Sequence, residues 1–210
     1  GNNALGANTT ASNNTAVGTD ALAANTTGAE NVAVGKGALN ANTTASSNTA
    51  VGRSALLANT TGIQNTAVGS GAGDAGTSAN NNTSLGYFAL STASGNQNTA
   101  LGSQSLTNNT AANNTAVGYA SMFANTTGDR NVAVGMSALT VNTTGIQNVV
   151  IGSDAGDFMT TAAYNVIIGY SAASHTTNLV SGNGNTIVGS YARTPGGTTT
   201  LANAFGHDIS

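Results

Sequence analysis

Apolar and polar positions recur along this chain with one fixed spacing. The five-residue run Asn-(Thr/Val)-(Ala/Val/Ser/Ile)-(Val/Leu/Ile)-Gly ends at Gly18, Gly35, Gly52, Gly69, Gly86, Gly102, Gly118, Gly135, Gly152, Gly169 and Gly189. Successive runs are 17 residues apart, except for two steps of 16 and a last step of 20. A second apolar pair follows three and four places after the glycine, as in Ala21-Leu22, Ala38-Leu39, Ala55-Leu56, Ala89-Leu90 and Ala138-Leu139. Asn-Thr-Thr-Gly then comes at 25–28, 59–62, 125–128 and 142–145. A period of this length marks stacked, mutually dependent units.

Such a unit is too short for a helical hairpin of useful length and fits one coil of a solenoid with two strands. Within Asn65-Thr66-Ala67-Val68-Gly69, period-two alternation puts Thr66 and Val68 on one face and Asn65, Ala67 and Gly69 on the other. Glycine closes the run because a corner there needs a positive φ, which asparagine tolerates next best. The abundance of Gly, Asn and Thr argues against helix. The expectation is an all-β, parallel β-roll of about 17-residue coils, a rod of roughly 50 Å over its ten steps at ~4.8 Å each.

Charge supports this register. Counted from each repeat glycine, the charged residues of the regular region fall one (Lys36, Arg53), two (Asp20, Asp154), five (Asp74, Asp157), eleven (Asp129) or twelve (Glu30, Arg130) places on, never inside the five-residue run or at the apolar pair. The charge-free columns are therefore expected to be buried or tightly paired. Only 5% of residues are charged, against roughly 25% in an ordinary soluble domain. Four basic residues against seven acidic ones exclude neutralisation of a phosphate backbone, so no nucleic-acid partner is expected. There is no cysteine, which excludes disulfides and thiolate metal sites. No run approaches the ~18 apolar residues of a membrane span, so no membrane insertion by this segment is expected. The chain opens inside the pattern at Asn2-Asn3-Ala4-Leu5-Gly6, as a segment of a longer protein would.

Each coil supplies about two large apolar side chains, such as Leu56 and Val68, worth roughly 1.5–3 kcal/mol apiece if fully buried. Ordering each residue costs about 1.5 kcal/mol. So slim a coil needs a further apolar surface, and repeated Ala and Val columns can supply it by packing against the same columns of other copies.

The repeated Asn-Thr-Ala-Val-Gly run followed by Ala-Leu resembles the head repeats of trimeric autotransporter adhesins (YadA-like heads), related repeats of phage-type tail fibres, and trimeric surface fibres of predatory bacteria. The resemblance covers residues 2–189. It implies a homotrimer of left-handed parallel β-rolls, an extracellular location on a cell surface or a virion tail fibre, and adhesion to a glycan, glycoprotein or matrix ligand. The unit here is longer than the usual head repeat, with Asn-Thr-Thr-Gly enlarging one turn, and no binding residue of the family maps onto it.

The two ends differ. Residues 1–86 hold no aromatic residue, whereas Phe158, Tyr164, Tyr170, Tyr191 and Phe205 are five of the nine. Aromatics favour recognition surfaces. The period also loosens after Gly169, and the only proline, Pro195, follows Gly189. We accordingly divide the chain into a repetitive head, 1–169, and irregular C-terminal coils forming a cap or tip, 170–210. Tyr170, His175, Tyr191, Arg193, His207 and Asp208 are the candidate ligand-binding residues; a cap that hides the last open strand edge explains the same segment. Tyr87, Tyr119 and Tyr170 share the column of Lys36 and Arg53, expected to face solvent.

No catalytic residue, metal site or cofactor is expected. Gly71-Ala72-Gly73-Asp74-Ala75-Gly76 matches a dinucleotide fingerprint, but Asn82 reopens the repeat where a helix would have to run. Ser181-Gly182-Asn183-Gly184-Asn185-Thr186-Ile187 lacks the carboxylate of a calcium-binding nonapeptide repeat. Asp154 and Asp157 read as two solvated carboxylates, and His175 and His207 lack an identifiable nucleophile or co-ligand. The Asn-x-Thr sequons read as turn or ladder residues. The leading expectation is a non-enzymatic adhesive fibre head. The alternatives are a structural spacer whose fibre binds through another domain, a polysaccharide-cleaving fibre, and an ice-binding solenoid; adjacent pairs such as Thr26-Thr27 place their hydroxyls on opposite faces and weigh against the last.

Overall fold

The computed structural model describes residues 1–92, 95–174, 181–192 and 203–206. Each five-residue run folds into a three-residue strand: β1 Thr15–Val17, β2 Val32–Val34, β3 Thr49–Val51, β4 Thr66–Val68, β5 Thr83–Leu85, β6 Thr99–Leu101, β7 Thr115–Val117, β8 Val132–Val134, β9 Val149–Ile151, β10 Val166–Ile168, β11 Thr186–Val188 and β12 Asn203–Phe205. They form one parallel sheet in sequence order, each strand paired only with the strands of the coils before and after it. Register follows the repeat: Thr49 pairs with Thr66, Ala50 with Ala67 and Val51 with Val68. The 16-residue step keeps it, Thr83 opposite Thr99, as does the 20-residue step, Val166 opposite Thr186. The chain is thus a β-solenoid, and the changes in coil length leave the strand register intact. The ladder continues into the C-terminal segment through β11 and β12.

Only one strand forms per coil, where two were expected. The second apolar pair lies in a turn, because every second residue there has positive φ: Asp20, Ser54 and Asp154 at 56–58°, and Leu22, Leu39, Leu56, Leu90, Leu106, Met122 and Leu139 at 50–54°. A left-handed non-glycine residue costs about 1–2 kcal/mol and cannot extend a strand. It is offset here by backbone bonds between coils and by burial. Leu22 N–H donates to Ala38 C=O at 3.0 Å, and Gly37 N–H to Thr19 C=O at 2.9 Å. Leu22, Leu39, Leu106 and Leu139 are wholly buried. At the other corner the closing glycines have φ between 128° and 141°. A β-carbon on Gly18 would stand 2.6 Å from the carbonyl of Gly35, so stacking and φ both exclude a side chain.

The core differs from expectation in what fills it. Middle strand residues such as Ala33, Ala50, Ala67 and Ala133 point inward and are fully buried, together with Ala21, Ala38, Ala55 and Ala138 of the turn. Val68 is not buried as expected; with Thr66 it lies on the outer face of the sheet, Val68 half-buried and Thr66 exposed. The inward set is alanine, leucine and asparagine.

Asparagine holds the coils together. From Asn14 to Asn185, the Oδ1 preceding each strand accepts the backbone N–H of its counterpart in the next coil, at 2.8–3.0 Å through ten consecutive links. The Nδ2 donates to a turn carbonyl, as Asn65 to Ala79 C=O at 2.7 Å and Asn148 to Ala162 C=O at 2.8 Å. A second ladder runs through the Asn-Thr-Thr turns, Asn42 Nδ2 to Asn25 Oδ1 at 2.8 Å and Asn142 Nδ2 to Asn125 Oδ1 at 2.7 Å. Buried amides are stable in a core so poor in apolar volume because nearly all of their groups are paired. Five of the sequon asparagines, Asn25, Asn42, Asn59, Asn125 and Asn142, are these ladder residues and are buried, whereas Asn8, Asn13, Asn81 and Asn113 are exposed.

Core volume is conserved across columns. Where Gly156 and Ala173 replace the turn leucine, the middle strand residues grow to Val150, Ile167 and Ile187. A β-carbon on Gly156 would sit 3.4 Å from Val150 Cγ1. At Gly73 no such exchange occurs, since the facing strand residue is Ser84, and a cavity of about 10 Å³ remains among Leu56, Gly73, Gly76, Ser84 and Leu90.

Candidate functional site

Two of the six candidate residues come together. Tyr170 follows the corner glycine of one coil and Tyr191 lies one place further along the next. Alternating φ turns both outward, Tyr191 with φ of 55°. Their rings meet edge to face, centroids 5.2 Å apart at 85°, and Tyr191 N–H donates to Tyr170 C=O at 2.9 Å. Tyr170 is 48% and Tyr191 46% exposed, so the pair presents a rigid aromatic ledge on the side of the rod. His175, Arg193, His207 and Asp208 lie outside the described residues.

Tyr87 and Tyr119 occupy the same exposed column as Tyr170. Tyr87 packs edge to face on Phe88 at 4.5 Å, and Phe88 covers Gly71, where a β-carbon would stand 2.6 Å from its Cε1. The glycine-rich run at 71–76 therefore seats an aromatic ring, and no helix follows it. Ser181 to Ile187 is likewise an ordinary corner, with Asn183 Oδ1 accepting the N–H of Ala163 at 2.7 Å.

The column five places after the glycine is not fully solvated, contrary to expectation. Burial pushes the Asp74 carboxyl above the usual carboxylate range. Asp157 is also raised, chiefly by burial and further by the charge of Asp154, against a hydrogen bond from Ser174. Asp154 accepts a hydrogen bond from the Ser153 hydroxyl at 3.1 Å. Among the described residues, no three His, Asp or Glu side chains gather to hold a metal ion, and no helix is long and apolar enough to cross a membrane.

The sequence pattern anticipated an apolar surface of Ala and Val columns, but not that it is the outer face of the sheet, with alanine turned inward. Its columns are charge-free; Val17, Leu85, Ile151, Ile168 and Phe205 are 37–64% exposed, and the equivalent residues of the other strands are half-buried. The signal was the absence of charge from the strand positions, which fits burial and tight pairing equally. The aromatic contrast between the ends did carry the Tyr170–Tyr191 pair, though not its contact.

No protein-family model matches the chain, and searches of curated proteins and of solved structures found no match either.

Proposed function

We propose that this chain is the head of a non-enzymatic adhesive fibre: a homotrimer of left-handed β-rolls, outside the cell, that binds a surface glycan, glycoprotein or matrix ligand. The observation that carries this reading is the outer face of the sheet. Strands β1 to β12 each turn at least one apolar residue outward, and β2, β8, β9 and β10 turn two, giving a stripe about 50 Å long at ~4.8 Å per rung. A continuous stripe of that kind, half-buried on most rungs and exposed on five, marks an association surface. Copies related by an axis along the rod would cover it on every rung at once. The Tyr170–Tyr191 ledge is the adhesive element of this reading, and three copies on one rod would raise avidity while each contact stays weak.

Light scattering of the purified chain tests the assembly; the expected mass is about three times 20.3 kDa. A glycan array tests the ledge: signals should fall at least tenfold in a Tyr170→Ala, Tyr191→Ala variant of unchanged mass. An isolated chain that binds nothing while its full fibre binds would establish the spacer alternative instead.

The same face favours one other reading. Thr49 and Val51, Thr66 and Val68, and Thr99 and Leu101 flank an inward residue on each strand, a hydroxyl and methyl lattice that orders water if left uncovered. A monomeric mass together with thermal hysteresis of the freezing point would support this ice-binding reading and remove the trimer.

A further inference from the structure

The chain has four basic residues, and two of them stack on adjacent rungs. Lys36 and Arg53 occupy the same place after Gly35 and Gly52, one coil apart, or ~4.8 Å between backbones. Both are exposed, and among the described residues neither side chain has an ion pair or hydrogen bond. Like charges opposed on neighbouring strands destabilise, so this placement carries an uncompensated repulsion on a chain of net charge −3.

The two side chains line a surface groove of about 250 Å³ with Asp20, Asn40, Ser54 and Leu57. Local backbone builds it. Asp20, Gly37 and Ser54 all have positive φ, which bends three successive rungs the same way. Gly37 leaves room for Leu57, whose Cδ1 would lie 3.4 Å from a β-carbon there. Asp20 is held at the edge by Asn3, which donates to its Oδ1 at 3.1 Å, and its backbone carbonyl accepts Asn40 Nδ2 at 3.1 Å.

We infer that this groove binds a singly charged, carboxylated sugar. Arg53 offers a planar fork to a carboxylate and Lys36 a second cation beside it. Ser54 and the free Asp20 oxygen match ring hydroxyls. Leu57, 37% exposed, provides an apolar floor for the face of a pyranose. With Asp20 included the lining carries one net positive charge, which suits one carboxylate per sugar and disfavours a densely sulfated chain. The groove is remote in sequence from the Tyr170–Tyr191 ledge and does not depend on it.

The test is calorimetric titration of the full chain with trigalacturonate, its uncharged methyl ester and dextran sulfate. Trigalacturonate should bind, the ester at least tenfold more weakly. Lys36→Gln and Arg53→Gln should each weaken trigalacturonate at least tenfold with unchanged circular dichroism and mass, whereas Tyr170→Ala should leave it unaltered. Asp20→Asn should strengthen binding of dextran sulfate more than that of trigalacturonate. No heat at millimolar trigalacturonate, equal binding of ester and acid, indifference to Lys36→Gln and Arg53→Gln, or tighter binding of dextran sulfate by the unaltered chain would each overturn the assignment.

Discussion

The sulfur of Met159 lies over Gly156, 2.9 Å from where a β-carbon on that glycine would be. Met159 stands in the column of Asn125 and Asn142, and Gly156 in that of Leu139. One flexible side chain thus fills the leucine vacancy at the cost of the asparagine ladder. The consequence is local: Asn142 Oδ1 is buried and has no hydrogen-bond partner. Met159→Ala empties the space and should destabilise by about 2–4 kcal/mol. Met159→Asn empties most of it too but returns a donor to Asn142, and should recover about 1 kcal/mol of that loss. Chemical denaturation of the two variants checks this; equal losses would mean that the ladder does not extend its bonding to this coil.

That substitution also shows where sequence reading succeeds and where it stops. The strand register, the corner glycines and the separation of Ala67 from Thr66 and Val68 follow from period and alternation alone, because a one-residue slip would exchange both faces of the strand; which face turns inward does not. The second strand per coil was misjudged because Ala55-Leu56 is apolar in the way a strand is; its conformation is instead a turn, with left-handed φ at Leu56 and Leu56 N–H bonded to Ala72 C=O of the next coil at 2.9 Å. That Val68 shares a face with Thr66 was legible, but that this face is the outer one was not, since the same lack of charge serves a core and an interface. Of the candidate site, Tyr170 and Tyr191 were legible as residues because aromatics are scarce here. The Lys36–Arg53 groove was legible only as a solvent column, because its walls come from three coils and from the backbone turn at Gly37.

Asn65 measures what the main ladder is worth. Its Oδ1 accepts the N–H of Asn82 at 3.0 Å, and its Nδ2 donates to Asn48 Oδ1 at 3.2 Å and to Ala79 C=O at 2.7 Å. Asn65→Ala removes all three and leaves buried groups unpaired, so the expected loss is about 2–4 kcal/mol. Gln64→Ala, exposed on the neighbouring position, should stay within about 0.5 kcal/mol. Asn65→Asp should be worse than alanine at neutral pH, since it buries a charge and loses the donors, and should recover part of its stability on acidification. Equal stability of the Asn65→Asp variant at pH 4 and pH 7 would remove the electrostatic half of this argument.

Asp157 makes the pH dependence testable in the unaltered chain. Its folded-state carboxyl titrates above the ordinary value of 3.8, so between the two the folded state holds more protons than the unfolded state. By linkage, the contribution of this group to stability is greatest below the unfolded value and is lost as pH rises through the folded one. Asp157→Asn should therefore raise the melting temperature at pH 7 and leave it nearly unchanged at pH 3, where the native carboxyl is protonated. Asp74, raised by burial in the equivalent column, should behave alike. A variant that gains as much at pH 3 as at pH 7 would trace the effect to packing.

Leu85 separates the single solenoid from its proposed assembly. It is 45% exposed on the outer face of β5, so in an isolated chain Leu85→Lys should shift stability by only about 0.5 kcal/mol. In a bundle whose copies meet along that face, the same change buries three unpaired cations, each several kcal/mol in cost. Sedimentation should show the unaltered chain at three times the mass of the variant. The melting temperature of the unaltered chain alone should climb with protein concentration, because association that favours the folded state stabilises it by mass action. Were both proteins to sediment as single chains with the same melting temperature at every concentration, the apolar stripe from Val17 to Phe205 would face water, and the ordered-water reading would be the one left to test.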